Sequence, residues 1–235
     1  MENKNAQLLN KNWQFKNTID QKWYDAVVPG SIHLDLLENK IIPNPFVRNN
    51  EKKLQWIAEE NWTYRLHFVP EEEILRNKNK VIFFEGLDTY ADIFLNGIKI
   101  LSSNNMFHPW EKEISEVLRK GVNELEVCFR SPTKEVSAQM RQLTYQLPAD
   151  NDQAGRTSPF SRKAPYHYGW DWGPSFVTSG IWRNVSLIGW SDWHVIRSSI
   201  TNCELEANTA HLLLELEIVS EADREVSIVL SLIHI

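Results

Sequence analysis

The sequence predicts an all-β fold built as an antiparallel sandwich, and three observations predict it. Apolar residues recur with a two-residue period over short runs, turn signals separate those runs, and very little of the chain carries a helical period. The clearest run starts at Trp62, where Tyr64, Leu66 and Phe68 alternate with Arg65 and His67. Leu125, Val127 and Phe129 do the same against Glu124, Glu126 and Cys128, as a half-buried strand requires.

In chain order, Trp13-Gln14-Phe15 is a short alternation of edge-strand type, and Val28-Pro29-Gly30 ends an extended segment with a turn. Ser31 is placed to cap a short helix over Ile32 to Asn39, in which Ile32, Leu36 and Leu37 share a face. Ile41 to Trp56 contains Pro43 and Pro45 and reads as irregular, with Phe46, Leu54 and Trp56 as its expected anchors. Val81 to Phe84 and Thr89 to Leu95 read as strands. Asn96-Gly97 matches a two-residue type I′ turn, with Ile98 to Leu101 returning beside it. Pro132 to Pro165 reads as loop with a weak helix near Lys134 to Leu143. After Trp190 the character changes. Val195 to Thr201, Leu212 to Ile218 and Val226 to Ile235 read as three strands, with polar turns at Asn202 to Asn208 and Ser220 to Glu225. An immunoglobulin-like sandwich needs about seven strands, so two domains are expected, residues 1–190 and the start of a truncated immunoglobulin-like sandwich over 191–235. Ending inside an apolar run, that last strand is expected to leave an unpaired hydrophobic edge.

Composition narrows the classes of function. A net charge of −6 leaves no basic footprint for nucleic acid, and no apolar run is long enough to span a bilayer. The first residues lack an apolar signal-type stretch, so a cytoplasmic chain is expected, although a secreted chain with its signal removed would look the same. Cys128 and Cys203 do not make a disulfide framework or a metal site, and His33, His67, His108 and His167 lack zinc-motif spacing. No cofactor or metal is implied. No G-x-S-x-G elbow supports serine chemistry. Asn61-Trp62-Thr63 and Asn184-Val185-Ser186 fit the glycosylation pattern, which carries weight only in a secretory context.

The segment of chemical interest is Arg162 to Leu187, RKAPYHYGWDWGPSFVTSGIWRNVSL. It gathers Trp170, Trp172 and Trp182 with Tyr166, Tyr168 and Phe176, beside Arg162, Lys163, His167, Asp171 and Arg183. A pyranose presents one apolar face and several hydroxyls, so its site needs flat aromatic surface and a few fixed polar groups. Asp171, between two indoles and before Gly173-Pro174, meets that need. The same residues also fit an irregular loop whose aromatics are buried for packing.

The segments VPGSIHLDLLENKIIPNPF, NEKKLQWIAEENWTYRLHF, FEGLDTYADIFLNG, NNMFHPW and RKAPYHYGWDWGPSFVTSGIWRNVSL resemble, in that order, the N-terminal part of β-mannosidases of glycoside hydrolase family 2. The resemblance covers nearly all of Trp13 to Trp190, and HLDLL, GLDTYADIFLNG and GWDWGP are its most specific pieces. It implies a jelly-roll, galactose-binding-like sandwich, then an immunoglobulin-like domain, then a TIM barrel with both catalytic glutamates. Retaining glycosidases use two carboxylates about 5 Å apart, and a barrel takes about 250 residues, so no catalytic residue is expected in this chain. Asn50-Glu51, in an irregular loop, and Asn123-Glu124, opening a strand, only mimic the family's acid/base pair. By resemblance, Asp171 hydrogen-bonds hydroxyls of a terminal mannose and Trp170 walls the site; Trp172, Arg162, Tyr166 and His167 contact sugar or support the loop. The expected partners are a β-mannoside oligosaccharide or glycoside and a barrel of the same polypeptide. A free-standing carbohydrate-binding module, or a family 2 glycosidase acting on galactose, glucuronic acid or glucosamine, are the alternatives.

Overall fold

The structure is a computed structural model that describes residues 5–18, 22–223, 225 and 227. Its elements, in order, are β1 (Asn5–Leu8), β2 (Trp13–Asn17), β3 (Tyr24–Ala26), α1 (Ile32–Glu38), α2 (Asn50–Lys53), α3 (Trp56–Glu59), β4 (Trp62–Phe68), α4 (Glu72–Leu75), β5 (Asn79–Phe84), β6 (Tyr90–Leu95), β7 (Ile98–Asn104), β8 (Trp110–Glu113), β9 (Asn123–Phe129), α5 (Pro132–Gln142), β10 (Val185–Trp190), β11 (Trp193–Leu205) and β12 (Ala210–Ser220). Two antiparallel sheets form the sandwich, one ordered β3-β2-β4-β9-β6-β7 and the other β1-β10-β5-β8, while β11 and β12 pair as a separate hairpin.

Two-residue periodicity builds the core directly. In the larger sheet Tyr64 lies opposite Val127, which lies opposite Ile93; one step along, Leu66, Leu125 and Leu95 form the next row. All six are buried, and they face Ile82 and Phe84 of β5 with Val185 and Leu187 of β10, which belong to the same apolar cluster. At about 25 cal/mol per Å² of apolar surface removed from water, such rows are the main source of stability. The β6–β7 turn has Asn96 at φ 54° and Gly97 at φ 80°, the paired positive angles of a type I′ turn. Asn96 also locks to β9: its side chain donates to Asn123 Oδ1 and accepts from the Glu124 N–H.

Several expectations are corrected. β2 is not an edge strand, because β3 covers it on one side and β4 on the other; its apolar alternation, Trp13 and Phe15, is that of an interior strand. Ser31 starts α1 but makes no side-chain cap; the Ile32 N–H donates to the carbonyl of Ser179 at 2.8 Å, so one of the free N–H groups at the helix start is met from a distant loop. Within Ile41 to Trp56, Leu54 is buried, but Phe46 and Trp56 are exposed, and Asn50-Glu51 lies in the short helix α2 rather than in irregular chain. The helix expected near Lys134 begins earlier, at Pro132, where Ser131 Oγ accepts from the Lys134 N–H; proline suits a first helical position, whose N–H has no partner in the helix. β11 runs on to Leu205, so the polar residues from Asn202 continue the strand and the turn is shorter than expected. The third strand, Val226 to Ile235, lies outside the described residues apart from Ser227. β1, β8 and β10 had no clear alternating signal.

Candidate functional site

The aromatic segment leaves the sandwich at Arg162, bridged to Asn105, and returns at Gly180, bridged to Asp88. Between these points it makes a 3-10 turn over Pro165–Tyr168 and then reverses at Gly169, φ 124°. A Cβ there would lie 2.5 Å from the Asn151 carbonyl, so the chain can pass this point only as glycine. Beyond it, Trp170 and Trp172 meet edge-on, ring centroids 5.7 Å apart at 74°, with Asp171 exposed between them. Trp172 is 82% exposed and Trp170 42%.

This tip stands on a firm stem. Tyr168 is fully buried, packs with Ala58 and Val177, and its carbonyl accepts from the Gln153 N–H at 2.8 Å and from Ser175 Oγ at 3.1 Å. On the return leg the Ser175 N–H donates to Glu51 of α2 at 2.8 Å, and Gln55 donates to the Ser175 carbonyl at 2.9 Å. Phe176 sits between His33 and Phe46, 5.4 Å from each ring. Phe46 thus anchors by edge contact with the loop rather than by burial.

Under the stem lies a buried polar cluster. Lys163 donates to Asp88 and, at 2.8 Å, to the carbonyl of Thr178; Asp88 also accepts from the Thr89 hydroxyl. His167 Nδ1 lies 3.7 Å from Asp88. Burial pushes the Lys163 ammonium below its ordinary pKa, with Asp88 acting in the opposite sense. Burial, then the Lys163 charge, lowers His167 to about 4, against the pull of Asp88. Burial, with Lys163 and His167, also lowers His33 to about 4. Both imidazoles are therefore neutral at pH 7.

Of the residues the sequence singles out, Trp170, Asp171 and Trp172 share the tip. Tyr166 is exposed and His167 half-buried on the 3-10 turn, their rings edge-on at 4.7 Å. Arg162 is exposed at the loop's entry. Sequence reasoning missed Asp88, Glu51, Gln55 and the buried role of Lys163. Asp88 sits between Glu85 and Asp92 in the same stretch, so nothing in the sequence marked it as the buried carboxylate of the three. Among the described residues no three His, Cys, Asp or Glu side chains gather to hold a metal ion. The arrangement offers an aromatic surface with a carboxylate acceptor, a means of holding a ring that carries hydroxyls.

Residues 13–183 match the family described as "Glycosyl hydrolase 2 galactose-binding domain-like", and the chain belongs to that family. It is 40% identical over 189 residues to "Beta-mannosidase B" of Thermothelomyces thermophilus, covering 76% of this chain and 21% of that protein. To the "Beta-mannosidase" of Capra hircus it is 34% identical over 192 residues, covering 80% and 22%. The crystal structure of a β-D-mannosidase from Dictyoglomus thermophilum superposes with a TM-score of 0.85 at 40% identity, over 92% of this chain and 26% of that one. A β-D-glucuronidase of the same organism, at 18% identity and a TM-score of 0.59, shares the fold. The chain thus spans about a fifth of the length of the curated relatives it matches.

Proposed function

We propose that this chain is the N-terminal, sugar-contacting portion of an exo-acting β-mannosidase that removes terminal β-D-mannose with retention. The observation that carries the reading is the tip: two indoles and a carboxylate held out in solvent on a hydrogen-bonded stem. Leaving indole surface in water forgoes burial worth roughly 25 cal/mol per Å², so a stiff stem that maintains such exposure is understandable if a ligand covers the rings. Asp171 accepts from sugar hydroxyls away from the reacting carbon, and Trp170 and Trp172 wall the ring. Tyr166, His167 and Arg162 flank or support the loop. Contacts of this kind convert binding into orientation, and through it into rate.

The two catalytic carboxylates then belong to a barrel of the same polypeptide beyond these 235 residues, and the chain by itself is inactive. Residues 1–190 are the sugar-binding-like domain, and 191–235 begin an immunoglobulin-like sandwich. Support for that division comes from the hairpin β11–β12, which pairs only with itself among the described residues.

A second reading, a free-standing carbohydrate-binding module, is favoured by one observation. An open cavity of about 380 Å³ is lined by Phe15, Tyr24, Trp56 and Trp62, with Asn17 and Glu60 beside them. Titration of the isolated chain with a methyl β-mannoside and a mannobiose, followed by tryptophan fluorescence, separates the two. Negligible binding is expected of half a site; saturable binding removed by Trp56→Ala but retained in Asp171→Ala supports the module instead.

A further inference from the structure

The loop that ends in Trp170, Asp171 and Trp172 is closed at its base by one buried ammonium. Lys163, 3% exposed, is the last residue before the 3-10 turn's N-cap; Thr178, whose carbonyl it meets at 2.8 Å, is on the return leg. Its other acceptor, Asp88, is 2% exposed and lies between β5 and β6, where its N–H and carbonyl pair with the Gly180 backbone at 2.9 and 3.0 Å. A single side chain therefore ties the outgoing leg, the return leg and the sandwich together.

Burying two charges brings desolvation that their attraction offsets only partly, and an apolar pair of similar volume is often as stable. What the ion pair provides over an apolar contact is fixed length and direction. Only six residues separate Lys163 from Trp170, and four of these, Pro165–Tyr168, form the 3-10 turn. His167 on that turn faces the same carboxylate. A shift at the base is therefore carried to the tip.

We propose that Lys163 and Asp88 are positioning residues that set the height and orientation of the Trp170–Asp171–Trp172 tip without touching sugar. The inference rests on the reading of that tip as a sugar wall, but the positioning itself is measurable without any sugar. Two indoles at 5.7 Å and 74° couple electronically and contribute an exciton band to circular dichroism. The difference between the parent chain and Trp172→Phe gives the contribution of this pair. Lys163→Met keeps the length and burial of the side chain and removes its charge.

Lys163→Met is expected to fold cooperatively in urea and to lose the pair's contribution. Val127→Ala, a core truncation, is expected to destabilise the chain and keep it. A folded Lys163→Met with the parent's band overturns the proposal. If Lys163→Met does not fold, the parent chain decides: the pair's contribution must persist up to the cooperative thermal transition, and its disappearance well below that transition overturns the proposal. Kinetics of the complete protein on a β-mannoside separate the two layers. A fall in kcat/KM of about 100-fold, the scale of a 1 Å misplacement, expressed in kcat as well as KM, supports both. A lost band with unchanged kinetics retains the positioning role and overturns the sugar reading.

Discussion

Lowering the pH from 7 to 5 should weaken the folded chain through two imidazoles. His33 on α1 faces Phe176, Lys163 and His167; His167 faces Lys163 and Asp88; in the folded state both have pKa values of about 4. In the unfolded chain a histidine titrates near 6.5. The unfolded state therefore binds the extra protons, and their stabilising contribution, complete above pH 6.5, is lost as pH falls toward 4. At about 1.4 kcal/mol per pKa unit, each imidazole loses nearly 2 kcal/mol by pH 5, about 4 kcal/mol for the pair. Asp35 works the other way. Burial raises it to about 6, despite the Tyr64 and Val27 hydrogen bonds, so the folded state gains about 1.3 kcal/mol from it over the same interval. Glu126, raised by burial and by Glu124, acts in the same sense as Asp35. The net loss is about 2 kcal/mol, which with an m-value of ~2 kcal/mol/M lowers the urea midpoint by about 1 M. Urea titrations at both pH values, read by tryptophan fluorescence, measure it. An equal or higher midpoint at pH 5 would refute the reasoning.

Other perturbations test the packing around the site. Tyr64→Phe removes the hydroxyl that donates to buried Asp35 at 2.6 Å and should cost about 1–3 kcal/mol in urea denaturation. The deficit should shrink as pH falls, because protonation relieves the carboxylate. Gly86→Ala would set a Cβ 2.5 Å from Trp182 Nε1, displacing the indole that donates to the Met106 carbonyl; a loss of about 1–3 kcal/mol is expected from the melting curve. Asn123→Ala removes a fully buried amide that donates to the carbonyls of Arg119 and Gly121 and accepts from the Arg119 N–H and Asn96. It should cost about 2 kcal/mol or more, with earlier amide hydrogen exchange at the Asn96–Gly97 turn.

Much of the sandwich was legible because alternation and burial are the same fact seen twice. β9 alternates in exposure throughout and β4 does so from Tyr64 onward, as in sequence, and Asn96-Gly97 has the angles its dipeptide favours. Strands whose neighbours rather than patterns define them were not legible: β8, Trp110–Glu113, is mostly exposed and exists because it pairs with β5. The same holds at the site. Trp170, Asp171 and Trp172 are adjacent in sequence, so their tip was readable. Lys163 and Asp88 are 75 residues apart, and only the fold brings them together. At α1 too a distant group was not readable: Ser31 makes no side-chain cap, and the Ile32 N–H meets the carbonyl of Ser179 across the fold.

The most direct test of the sugar-wall reading is an exchange. The 235-residue chain replaces the matching quarter of the Dictyoglomus thermophilum β-D-mannosidase, and kcat/KM for a β-mannoside is measured with Asp171 and with Asp171→Asn. An active parent and a variant lowered by at least about 10-fold, the scale of one hydrogen bond to a charged group, are predicted. An active parent with an Asp171→Asn variant of equal kcat/KM would contradict the account.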